Sequence, residues 1–148
     1  MAVTHTLYGP SLKNTADGKM ALGSSSTDIR VLLMTSEHTF TQANEYWATV
    51  STNEVTTGYC GSTDYKDGQG GHVLGGLSLS YSSRITTWSA TSKATFTSTG
   101  TIKAFYAVTA ASSYLISCID FGEEKASADG EFAIQWSTDG IFTNTVGT

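Results

Sequence analysis

ADGEFAIQWSTDGIF, residues 128–142, sets an Asp-Gly pair at each end of a six-residue strand pattern. Asp129-Gly130 opens it and Asp139-Gly140 closes it. Asp-Gly is a strong turn signal, because Gly takes positive φ without a Cβ clash and Asp tolerates it while bonding its own backbone. Between the pairs, Phe132, Ile134 and Trp136 alternate with Glu131, Ala133 and Gln135. A period of two puts the large apolar side chains on one face of a strand. The run from Ile141 to Val146 is short enough to be its hairpin partner. The stretch therefore reads as the last hairpin of an all-β protein. Two further pairs, Asp17-Gly18 and Asp67-Gly68, carry the same punctuation along the chain.

The rest of the sequence agrees. A chain of 148 residues amounts to one domain with one sizeable core. Charged residues make up only 14%, against roughly 25% in an average soluble domain. Hydroxyls fill the gap, with 19 Ser and 24 Thr, and Thr suits a pleated surface through its branched Cβ. The net charge of −5, with Arg30, Arg84 and six scattered Lys, argues against nucleic-acid binding, which needs clustered cations. No apolar run approaches the roughly 18 residues of a membrane span. The opening MAVTHTLYGPSL lacks the basic and apolar regions of a signal peptide, so synthesis in a cytoplasm is expected. Cys60 and Cys118 read as reduced, buried or half-buried thiols rather than a disulfide.

Residues 1–23 read as an N-terminal arm, with Leu7, Tyr8 and Leu12 able to form one turn of helix that Gly9-Pro10 interrupts. Residues 24–148 read as a β domain. Ile29–Met34 is nearly all apolar, which implies burial on both faces. Thr41–Ala48 is the best helical candidate, with Thr41 as its cap. Residues 53–59 are expected to form a short edge strand, and 61–76 a Gly-rich loop. Strands then recur at 77–81, 85–88, 94–97, 102–108, 114–121, 132–136 and 141–146. Leu77, Leu79 and Tyr81 share one face, as do Leu115, Ser117, Ile119 and Phe121. About eight short strands with turn signals fit a two-sheet antiparallel sandwich, jelly-roll or Ig-like. Its core would hold about 20 large apolar side chains, each worth roughly 1.5–3 kcal/mol before entropy.

Reactive chemistry finds little support. A hydrolase needs a nucleophile, a base and an orienting group that meet. His5 lies in the arm, His38 follows Glu37 in a polar loop, and His72 sits between Gly71 and Val73; no G-x-S-x-G elbow occurs. Glu123 and Glu124 are adjacent and would point to opposite faces of a strand, so a glycosidase pair is disfavoured. With Asp120 and Lys125 they read as a solvated turn. Asp64–Gly71 resembles a cation loop in composition, yet Lys66 occupies a ligand position and no Glu follows at calcium spacing. Trp47, Trp88 and Trp136, with Tyr59, Tyr65 and Tyr114, could stack on sugars, but Trp136 shares a face with core residues and Trp47 lies on the expected helix. No catalytic residue, metal ligand or cofactor site is assigned, and the chain reads as non-enzymatic.

Six stretches, taken in order, resemble a family of small tailed-phage virion proteins described as head decoration or cement proteins. They are Thr6-Leu7-Tyr8-Gly9, the run Thr27–Ser36, Asn53–Tyr59, Ala104–Val108, Ile119-Asp120-Phe121-Gly122 and Asp139-Gly140-Ile141-Phe142. The resemblance spans nearly the whole chain, with 42–48 and 61–76 outside it. It implies a protein of the virion, on the head exterior, that binds the major capsid protein lattice and stabilises the head. It also implies self-association as a dimer or trimer, since many equivalent sites favour symmetric clusters. An arm that orders on the capsid would add strand hydrogen bonds, which points to Val3, His5, Leu7, Tyr8 and Leu12 as contact residues. The alternative is a tail or fibre module that binds host-surface glycan.

Overall fold

The structure, a computed structural model, describes residues 4–23, 29–55, 72–91, 93–109, 114–136 and 141–145. Its described residues are mostly strands in antiparallel sheets, with one short α-helix among them. In chain order the elements are β1 (Thr4–Leu7), α1 (Gly9–Ala16), β2 (Ile29–Met34), β3 (His72–Val73), β4 (Ser78–Ser82), β5 (Ile85–Ser89), β6 (Ala94–Thr109), β7 (Leu115–Ile134) and β8 (Phe142–Thr145). The larger sheet has the order β1-β7-β6-β2-β3 and the smaller β4-β5-β8.

β2 contributes to both buried clusters. Ile29, Val31 and Leu33 enter one buried cluster, with Trp88, Ala94, Phe96, Ile116, Ile119 and Ile134. Leu32 and Met34 point the other way, into a cluster with Tyr8, Trp47, Val50, Leu115 and Cys118. The apolar run is thus buried on both faces, as its composition implies. The smaller sheet supplies Trp88 to the first cluster, and its indole Nε1 donates to the Leu22 carbonyl at 2.7 Å.

The opening stretch turns out differently. Asp129-Gly130 is no hairpin turn. It lies within β7, a strand of 20 residues that pairs along β6, with Gly130 opposite Ser98. The ladder skips between Ser98 and Gly100 on one strand and Gly130 and Ser127 on the other. The Asp-Gly pair therefore serves an irregularity that adds residues to one strand and bends it. Glu131–Ile134 pair with Ala94–Thr97, and β8 pairs with β5 instead. The segments read as four strands, 94–97, 102–108, 114–121 and 132–136, are two long ones.

A second skip, from Ile102/Ala104 to Lys125/Asp120, takes up Phe121–Glu124. These residues form a bulge rather than a turn, with Gly122 at φ +76°. Glu123 and Glu124 are exposed, and Glu123 pairs with Lys125. A third skip at Ala107/Val108 leaves Ile116 as the extra, unpaired residue between Leu115 and Ser117 of β7. It sends Leu115 to the face of Tyr8 and Trp47, away from Ile119. The simple alternation of Leu115 with Ser117 and Ile119 fails for that reason.

The N-terminal segment is part of the body, not an arm lacking structure of its own. β1 pairs with β7 from Thr4 opposite Asp120 to Leu7 opposite Ser117. Gly9-Pro10 starts α1 instead of interrupting it, because a proline in the first turn gives up an N–H that has no helical partner. The helix ends where Asp17-Gly18 was expected to turn the chain. Gly18 (φ +72°) donates to Thr15 O at 3.1 Å and Lys19 to Asn14 O at 2.8 Å, the Schellman closure.

Thr41–Ala48 forms no α-helix. Tyr46 makes a β-bridge to Tyr114, Leu115 N–H donates to Glu45 O at 2.9 Å, and two 3₁₀ turns follow at Trp47–Thr49 and Ser51–Asn53. Long-range backbone bonds override the local preference. Of the expected edge strand at 53–59, Glu54 bridges Met34 and Val55 N–H donates to Leu33 O; residues 56–59 lie outside the described part.

Candidate binding surfaces

The five expected contact residues divide. His5 and Leu12 are exposed, Leu7 is half-buried, and Tyr8 is fully enclosed against Phe40, ring centroids 4.8 Å apart. Tyr8 is a core residue and cannot reach a partner while the chain is folded. Val3 lies outside the described residues. Partial burial against the sheet disfavours the charged imidazole and holds His5 below its ordinary pKa.

Among the described residues, His5 stands on β1 opposite Ile119, His38 in the loop after β2 and His72 on β3. His38 Nε2 lies 3.2 Å from Asp120 Oδ2, and Asp120 Oδ1 accepts the Gly122 N–H at 2.7 Å. This arrangement ties the loop after β2 to the bulge of β7. His72 packs edge-on to Phe96. Among the described residues no group of three His, Cys, Asp or Glu side chains is placed to hold a metal ion. The cation-loop candidate 64–71, Tyr59, Tyr65 and Cys60 lie outside the described residues; Cys118 is a buried thiol. No helix among the described residues is long and apolar enough to cross a membrane.

Two surface features stand out. The first is the β4–β5 hairpin. All five β4 residues are exposed, Leu79 at 52% and Tyr81 at 66%. Leu77 is buried as its alternation implies, but Leu79 and Tyr81 are not. Among the described residues β4 has only β5 beside it, and it is exposed on both faces. The hairpin closes through Ser83 (φ +48°) and Arg84 (φ +70°).

The second is a cleft of about 230 Å³ lined by Ala90, Thr91, Lys93, Gln135 and Trp136. It lies where the chain leaves β7 and where β5 passes to β6. Trp136 is half-buried and packs against the first cluster, so it is only in part the core residue expected. Trp47 and Trp88 are wholly buried and present no sugar platform. Tyr114 pairs with Tyr46, centroids 5.3 Å apart, and the Glu45 carboxylate, ahead of desolvation, raises the Tyr46 pKa. Thr91 and Lys93 carried no sequence signal: they belong to no motif and stand more than 40 positions from Gln135 across the cleft.

No protein-family model, no curated protein and no solved structure matches this chain.

Proposed function

We propose that this chain is a non-enzymatic structural protein of a phage virion, a decoration or cement protein that binds the major capsid protein lattice on the head exterior. In this reading its sheets form a two-sheet antiparallel sandwich of about eight strands. It associates with copies of itself as a dimer or trimer, and it needs neither cofactor nor nucleic acid. The observation that carries the proposal is the uncovered apolar edge of β4, with Leu79 and Tyr81 in solvent. Monomeric proteins ordinarily blunt such edges with charge or cover them, because a strand edge pairs readily with another chain. His5 and Leu12 add exposed side chains on β1, an end strand of the larger sheet, and on α1.

The test is cosedimentation with purified capsids. Leu79→Lys and Tyr81→Lys, on a strand exposed at every residue, are expected to fold and to lose capsid binding. Retained stoichiometric binding in both variants would refute the proposed surface, and an image of the particle without this chain on its head would refute the location. Deleting residues 2–12 is a poor probe, since it removes β1 and the buried Tyr8.

A second reading, a tail or fibre module that binds host glycan, is favoured by the Trp136 cleft.

A further inference from the structure

The cleft beside Trp136 joins one aromatic wall to three different polar groups. Lys93 is exposed and brings an ammonium, Gln135 is exposed and brings an amide, and Thr91 is exposed and brings a hydroxyl. Trp136 is held by the core behind it. Thr91 is also held in place. Thr91 N–H lies 3.3 Å from Gly75 O and 3.2 Å from Gly76 O. Its side chain fills the space above Gly76, where a Cβ would overlap Thr91 Oγ1. The volume falls below the roughly 300–1,000 Å³ of drug-sized pockets. A ligand that fits has one apolar face, a polar rim and the size of a single ring. Pyranoses have this construction, with axial C–H bonds on one face and hydroxyls around the edge. The Lys93 ammonium at the rim selects a ring that carries an anion, acting locally against the overall charge of −5.

We propose that this cleft binds a carboxylate-bearing pyranose. Its C–H face stacks on the Trp136 indole, its hydroxyls bond Gln135 and Thr91, and its carboxylate meets the Lys93 ammonium. The inference deepens the glycan-binding reading and rests on it for its biological setting.

The experiment is a fluorescence titration of the full chain with methyl glucuronide, methyl glucoside and acetate. Trp47 and Trp88 are fully buried, so quenching by a surface ligand reports Trp136. Glucuronide is expected to quench with a dissociation constant about two- to fivefold below that of glucoside, the contribution of one exposed ion pair. Acetate is expected to leave the emission unchanged. Lys93→Gln should bring glucuronide to the level of glucoside. Gln135→Ala, at an exposed position, should weaken both sugars alike. Absence of quenching, wild-type glucuronide affinity in Lys93→Gln, or acetate acting as well as the sugars would each overturn the proposal. A failed titration by a protein that still adheres to host cells removes this cleft alone, and loss of adhesion as well removes the reading beneath it.

Discussion

The ring of Phe96 meets the ring of His72 at 62°, with centroids 5.9 Å apart. Their positions in the sheet make this contact informative. His72 pairs with Val31, and Val31 pairs with Ala107 of β6. Phe96 stands on that same strand. A straight strand rising roughly 3.3 Å per residue would place Phe96 and Ala107 about 36 Å apart. The β6–β7 ribbon therefore curls back over the face of the larger sheet, and the skips at Ser98/Gly100 and Ile102/Ala104 lie where it must bend.

Phe96 anchors the returned end of that ribbon. Phe96→Ala is expected to cost about 3–5 kcal/mol, the range for a buried Phe, and Phe96→Leu distinctly less. Denaturant unfolding checks this through the midpoint at constant slope. An alanine variant within about 0.5 kcal/mol of wild type, the range of ordinary surface changes, would show that the ribbon does not depend on this contact.

Asp120 holds the second bend. One carboxylate oxygen accepts the Gly122 N–H and the other faces His38 Nε2. Asp120→Asn keeps an oxygen for Gly122 and gives up the charge toward His38. Asp120→Ala loses both. The alanine variant should lose about 1–3 kcal/mol, the penalty for stranding partly buried polar partners, and the asparagine variant should lose less. Equal losses in the two would assign the whole effect to the His38 contact.

The two-sided burial of β2 was legible because six consecutive residues leave only Arg30 polar. The α1 closure was legible in part, since Asp17-Gly18 does turn the chain. The long strands were not. Gly100, Gly122 and Gly130 signal interruption equally well for a turn and for a bulge, and only the partner strand distinguishes them. Thr41–Ala48 misled because Tyr46 and Glu45 are held by residues near 114, a distance in sequence that local propensity does not see. The β4–β5 turn carried the opposite problem, a left-handed pair with no glycine in it. The Trp136 cleft was invisible because its walls come from segments with no shared motif.

His5 gives the fold an acid-sensitive point. Its folded pKa is lowered below 6.5 by desolvation. Above that value it is neutral in both states and contributes nothing. As pH falls through the unfolded value, the unfolded chain takes up the proton first, so stability declines. The decline ends once pH passes the folded value, where both states are protonated. His5→Gln should flatten the stability profile between about pH 7 and 5, relative to wild type, given the usual imidazole range. Thermal melts across that interval would show it, and parallel profiles would remove His5 as a source of acid sensitivity.

The last prediction concerns Ser83 and Arg84. Ser82 pairs with Ile85, so these two residues alone make the loop, and both have positive φ. Two-residue hairpins of this kind are type I′ turns, whose geometry suits the twist of the strands and favours Asn-Gly. For other L-residues the left-handed region costs roughly 1–2 kcal/mol each. The hairpin accepts this penalty and presents Arg84 at its tip. Replacing the pair by Asn-Gly should therefore stabilise the protein by about 1–2 kcal/mol. Ser83→Asn alone should give a smaller gain, and it leaves the contacts of Arg84 untouched. A loss of stability in Ser83→Asn would mean that Ser83 contributes more through its side chain than its backbone costs. If Leu79 and Tyr81 form the capsid-binding edge, the stiffened hairpin should bind at least as tightly as wild type. Tighter folding with weaker binding would instead show that the edge must deform to dock.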